Sequence, residues 1–201
     1  MDRSLETVWE HMFDFGAVLL GHGIEHIILS GRGAPPYAQA FGVTHVAHAG
    51  ELITKAAIAQ KHPLLIFSSM PKLTSARSGL MSFDELASEG RSINYNELPD
   101  RLWAATGYAM EHVEEFKKFG ATRNVVQHFA ATEVDYLKEA LSYTCNVLDP
   151  LMNHFWQVGP FKAMADAWDE QNPYILGDGV IREALEDREI AYNGWLPAVD
   201  G

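Results

Sequence analysis

The chain has 201 residues, enough for one domain with one sizeable core. Apolar residues make up 47% and charged residues 21%, a balance too apolar for a disordered chain. A formal charge of -12 argues against charge-driven binding to DNA or anionic membranes, but leaves room for a small basic pocket that grips one phosphate. The single cysteine, Cys145, excludes an intrachain disulfide and a cysteine-based zinc site, and a reducing, cytoplasmic setting is the expectation.

The start, MDRSLETVWEHMFDF, lacks the basic-then-apolar plan of a signal peptide. No run reaches roughly 18 consecutive apolar residues, and the most apolar stretch, 16–29, is interrupted by His22, Glu25 and His26, so no membrane partner is expected. Ser4 is a candidate N-cap for a first helix, whose apolar positions Leu5, Val8, Met12, Phe15, Leu19 and His22 or Gly23 recur at three-to-four spacing toward Leu29. A loop with two glycines and two prolines follows at 30–37. The second helix spans about 41–60, with Val43, Val46, Ala49 or Gly50, Ile53, Ala57 and Ile58 inward, and Pro63 ends it.

Between 62 and 94 the signals weaken. HPLLIF reads as a short strand or a helix edge, SSMPKLTSARSG as a loop, and SFDELAS as a short capped helix starting at Ser82 or Asp84. The region 71–94 is a long insertion for a simple bundle. One or two helices then run to Gly120, read as a C-cap, and Thr122 is read as the N-cap of a long helix over 123–147. Its inward stripe is Val126, Ala130, Val134, Leu137, Leu141, Cys145 and Leu148. Pro150 breaks it. A helix over about 151–168, with a kink at Gly159-Pro160, a turn at NPYILGDG, a last helix over 180–192 and a loose tail beyond Gly194 complete the chain. Phe155, Trp156, Phe161, Trp168 and Tyr174 are expected in the core, or alternatively on a partner surface. The class is an all-α helical bundle forming a single domain over 1–201.

The candidate chemistry lies in GATRNVVQHF. Arg123 and Asn124, placed in the first turn of a helix, would meet free N–H groups and the positive end of the dipole, which favour an anion. Arginine adds a planar, permanently charged fork suited to phosphate oxygens, and His128 a proton carrier near neutral pH. Together they suit metal-free RNA cleavage, with His128 handling the 2′-hydroxyl or leaving-oxygen proton, Arg123 stabilising phosphate charge and Asn124 orienting either. Five positions along a helix turn through about 140°, so Arg123 must reach round to meet His128. A capping or solvated role fits the same spacing. Lys117-Lys118, the only paired basic run, reads either as a phosphate contact or as a solvated helix end. Glu51 and Lys55, four apart, read as a surface ion pair or as partners lining the Arg–His cleft, with His48 one turn earlier.

Arg123, Asn124 and His128 match in order the Arg-x(4–6)-His motif, with a polar residue after the arginine, and HAGELITKAAIAQKHPLLIF looks like a Glu-Leu-x-x-Lys-Ala helix. On these motifs the stretch 41–148 resembles the HEPN superfamily, with the first helix and the C-terminal helices as additions to a four-helix core. The resemblance implies a usually dimeric fold in which two Arg–His pairs meet in one RNA-cutting cleft. It also implies roles in toxin–antitoxin or antiviral systems, an antitoxin or regulatory partner, no cofactor, and inactive binding modules among its members. Ala130 stands where one toxin group carries a modified tyrosine. Glu114 and Lys118 fit a related Glu-x-x-x-Lys-Arg motif, whose last place holds Phe119.

A different chemistry is spelled by His22-Gly23-Ile24-Glu25-His26, the H-x-x-E-H order of inverted zinc peptidases, in which histidines four apart share one metal. Glu111, Glu114 and Glu115 are candidate third ligands, or His45 and His48 could complete a histidine-rich site. Buried or interfacial histidines with local hydrogen bonds are the plainer reading of the same word.

Overall fold

A computed structural model describes residues 3–30, 37–72, 79, 81–129, 134–167 and 176–196. They form an all-α bundle with one small β-ribbon. The frame is an antiparallel pair of 22-residue helices, α2 (Val8–Leu29) and α3 (Ala38–Ala59), preceded by a single turn, α1 (Arg3–Glu6). Ser4 therefore lies inside α1 rather than capping one continuous helix, and the chain breaks at Thr7.

Glycines set the spacing of this pair. A Cβ on Gly16 would come within 2.8 Å of Ile53, one on Gly23 within 2.9 Å of the Gly42 carbonyl oxygen, and one on Gly42 within 2.6 Å of the Gly23 carbonyl oxygen. Glycine costs about 1 kcal/mol in a helix interior relative to alanine. That cost is offset by side chains such as Ile24, Ile27, Val43, Val46 and Ile53, all buried across the seam. The inward stripe of α2 thus runs through Gly16, Leu20, Gly23, Ile24 and Ile27. Phe15, expected inside, is 53% exposed, because it projects beside the glycine row rather than into it. By length and mean hydropathy α2 is a helix that could cross a bilayer. Part of its surface packs on α3, burying Ala17, Leu20, Ile24 and Ile27.

The inward residues expected on α3 are all buried, and the helix also buries Thr54 and Lys55. A 3₁₀ turn (Pro63–Ile66) leads into β1 (Phe67–Ser69), which pairs antiparallel with β2 (Arg91–Ser92). Each strand is only two or three residues long, too short for an alternating pattern to announce it beforehand. Ser82 and Glu85 cap α4 (Phe83–Glu89) reciprocally, as SFDELAS predicts. A 3₁₀ turn at Tyr95–Glu97 enters α5 (Leu98–Thr106), and Gly107, at φ 80°, ends it.

The largest departure is α6 (Val113–Phe129). Gly120 is not a C-cap and Thr122 is not an N-cap, for both sit inside this helix. Gly120 is there because the Tyr95 ring lies flat on α6, where a Cβ would stand 2.4 Å from it. The Thr122 hydroxyl bonds Glu139 instead. Ala130 lies outside the described residues. The described part of the expected 123–147 helix therefore falls on three elements: the end of α6, α7 (Tyr136–Tyr143), which starts after an Asp135 cap, and the segment that follows α7. A π-helical segment (Thr144–Leu148) carries α7 into α8 (Asp149–Trp156). Pro150 does not break the chain: it stands in the first turn of α8, directly after the π-helical segment, where the backbone hydrogen-bond register shifts.

Left-handed Gln157 ends α8, so Gly159-Pro160 marks a full break before α9 (Pro160–Asp166) rather than a kink. The final helix, α10 (Asp178–Glu186), is shorter than expected. Phe161 is fully buried and Phe155 and Trp156 pack on the core, while Trp168 and Tyr174 lie outside the described residues. Past Gly194, the Trp195 ring sits 5.6 Å from the Lys162 ammonium.

Substituting Gly42→Ala should lower stability by about 2 kcal/mol, a Tm drop of roughly 4–8 °C for a chain this size. Gly179→Ala, where a Cβ meets nothing within 4 Å, should leave Tm unchanged or raise it slightly. Equal melting of the two variants would remove the seam argument. Burial pushes the Cys145 thiol up to about 12, so it should resist aromatic disulfide reagents at pH 8 until the protein is unfolded.

Candidate functional site

Arg123 occupies the eleventh position of α6, so its backbone N–H is engaged in the helix and the dipole argument for an anion at that N–H fails. The side chain carries the site instead. The guanidinium lies 5.4 Å above the Tyr95 ring, with Nη2 3.7 Å from Glu51 Oε2, and Nη1 donates to Gln127 Oε1 at 3.4 Å. Both polar contacts are long for charge-assisted bonds, and Nε is buried with no partner. Glu51 is drawn the other way, accepting from Lys55 Nζ at 2.6 Å, and Lys55 also donates to Ser92 Oγ at 3.3 Å. Two cations thus share one carboxylate, leaving a local positive excess on an otherwise acidic chain.

The weak-signal region supplies the floor of this cluster. β2 brings Ser92 to Lys55, and the next turn lays Tyr95 on α6, stacked on Phe116 with centroids 4.2 Å apart. The Tyr95 hydroxyl lies 3.0 Å from that of Tyr143, whose ring stacks on Phe119. A Cβ on Gly50 would overlap the Tyr143 hydroxyl. Burial raises both phenols well above their ordinary range, so they stay protonated as hydrogen-bonding groups. Neither tyrosine, nor Ser92, was singled out from the sequence. A tyrosine just ahead of a proline-started helix carries no local sign that it will underlie an arginine 28 positions on.

His128 and Asn124 are both exposed, and His128 has its ring 6.3 Å from Phe129. Arg123 and His128 stand one and a half turns apart on one helix, pointing about 140° apart. Tyr37, Phe41, Val125 and Phe129 are exposed apolar residues on the same end of the bundle, Phe129 by 76%. A groove of about 390 Å³ there runs past Tyr37, Phe41, Val126 and Gln127. The lysine pair is already engaged: Lys117 faces Glu114 at 3.5 Å and Lys118 meets Glu139 at 2.7 Å. His48 is exposed, edge-on to Phe15. A second concavity of about 280 Å³, between α6 and α7, includes Lys118, Lys138 and Glu139 but neither Arg123 nor His128.

The histidine word of α2 finds its third member on α3. His22 and His26 stand one turn apart, and His45 faces them across the Gly23–Gly42 approach, with His22 Nδ1 and His45 Nδ1 3.2 Å apart. Burial, reinforced by the neighbouring imidazoles, lowers the proton affinity of His45, and of His26 against an opposing pull from Glu25. Glu111, Glu114 and Glu115 are not part of this group; Glu115 accepts from Asn146 instead.

The fold and these side chains define an all-α bundle with a half-enclosed cationic cluster. Comparison with family models, curated proteins and solved structures finds no match to this chain.

Proposed function

We propose that this chain is a metal-independent endoribonuclease of the HEPN type, working as a symmetric homodimer in the cytoplasm with RNA as substrate and no membrane. A toxin or antiviral role, with an antitoxin or regulatory protein as partner, belongs to the same reading. The observation that carries it is Arg123: a half-enclosed guanidinium with an unpartnered buried Nε and two long polar contacts, in a cluster of net positive charge. Leaving such donors unmade is costly, and a phosphate oxygen satisfies them with the geometry a guanidinium prefers.

In this reading Arg123 holds the scissile phosphate and stabilises the charge that grows on it in the transition state. His128 takes the 2′-hydroxyl proton or delivers one to the leaving oxygen. Asn124, exposed beside them, orients the phosphate. Glu51 limits how far the guanidinium can swing, Lys55 balances Glu51, and His48, Lys117 and Lys118 contact the flanking backbone by exchanging their present partners for phosphates. Since Arg123 and His128 diverge on one helix, a second copy completes the site, with His128 of one chain meeting Arg123 of the other. The exposed apolar rim of Tyr37, Phe41, Val125 and Phe129 is the surface such a dimer would cover.

Purified protein should cleave single-stranded RNA in the presence of EDTA. Arg123→Ala and His128→Ala should each slow cleavage by about 100-fold or more while the protein remains folded. Full cleavage by His128→Ala removes the catalytic assignment; RNA binding without turnover in the parent protein assigns a binding module instead. In light scattering, Phe129→Asp should convert a dimer to monomers and abolish cleavage with them, whereas a parent protein that is monomeric at micromolar concentration overturns the two-chain site.

A further inference from the structure

We propose that His22, His26 and His45 form a three-imidazole binding site for a divalent transition-metal ion of the zinc class, joining α2 to α3. One ring nitrogen from each residue lies within 4.8 Å of the other two. Tetrahedral zinc with Zn–N bonds of about 2.0–2.1 Å sets its ligand nitrogens roughly 3.3 Å apart. The His22 and His45 Nδ1 atoms already stand at 3.2 Å. His26, one turn after His22, has its ring centroid 4.4 Å from that of His22 and 6.0 Å from that of His45. From 4.8 Å to that tetrahedral spacing is a gap of about 1.5 Å.

The backbone explains why three imidazoles converge here. Gly23 and Gly42 let α2 and α3 approach until a Cβ on either would meet the other's carbonyl oxygen, so side chains flanking that point meet. The two Nδ1 atoms of His22 and His45 face one another at 3.2 Å, and among the described residues His26 makes no hydrogen bond of its own. An ion takes the lone pairs of all three neutral rings at once. An all-nitrogen imidazole set suits zinc, copper or nickel and disfavours magnesium or calcium. Three protein ligands leave a fourth position for water, on the partly exposed side of the helix pair. This site is separate from the Arg123 cluster and does not depend on the nuclease reading.

Protein stripped with a chelator and exchanged into chelator-free buffer is titrated calorimetrically with Zn²⁺ alone. One saturable site of micromolar or tighter affinity is expected, with Tm rising by about 5 °C or more at saturating zinc. Cobalt in its place should give the intense visible absorption of a tetrahedral nitrogen site. His26→Gln and His45→Gln should each weaken binding at least tenfold, and His112→Gln, an exposed histidine outside the cluster, should not. Circular dichroism without zinc establishes that the variants fold, and should His45→Gln fail to fold, His26→Gln decides the matter. Absence of a saturable site, or equal affinity in His26→Gln, overturns the proposal. RNA cleavage in EDTA reads out the Arg123 site independently, so failure of either reading is told apart from failure of the other.

Discussion

The close approach of α2 and α3 is the constraint on which the molecule depends. Gly16, Gly23 and Gly42 remove the side chains that would hold the helices apart, and each faces backbone or a buried branched residue that cannot move away. α3 then becomes the central helix, with α5, α6, α7 and α8 packed around it and α9 packed on α2. A second pair of glycines repeats the device at the site: Gly50 admits the Tyr143 hydroxyl and Gly120 admits the Tyr95 ring. Both tyrosines are thereby stacked between α3 and α6 and joined through their hydroxyls.

That aromatic floor decides the character of Arg123. Were the guanidinium on an open helix surface, water would satisfy its five donors. Resting on Tyr95 and turned toward a carboxylate that Lys55 already holds at 2.6 Å, it keeps its charge and only part of its hydrogen bonding. A cation in this condition favours an anion without a helix dipole to assist it, since α6 begins ten residues earlier. The same arrangement explains how a chain of charge -12 can present one spot of opposite sign.

Two different chemistries thus follow from one packing rule. At the Gly23–Gly42 contact, small residues bring three imidazoles together across two helices. At Gly50 and Gly120, they bring a guanidinium, a carboxylate and an ammonium together over two phenols. In both places helix glycines do what their low propensity alone would not suggest, which is to permit polar and ionisable side chains to share a small volume.

The helical class, the inward face of α3 and a short capped helix at SFDELAS were determined by the sequence alone, because hydrophobic periodicity and capping are local properties that a few consecutive residues settle; which residue caps, Ser82 or Asp84, was left to the structure. The order of Arg123, Asn124 and His128 and the four-residue spacing of His22 and His26 were equally plain. Tertiary structure alone decided that Gly120 packs rather than caps, that the helix bearing Arg123 starts at Val113, that Phe15 faces outward, and that two short strands carry Ser92 and Tyr95 to the site. It alone decided, too, that His45 and not a glutamate of α6 joins the α2 histidines. Each of these depends on what stands opposite a residue across a helix–helix contact, and one strand of sequence does not contain its own partner.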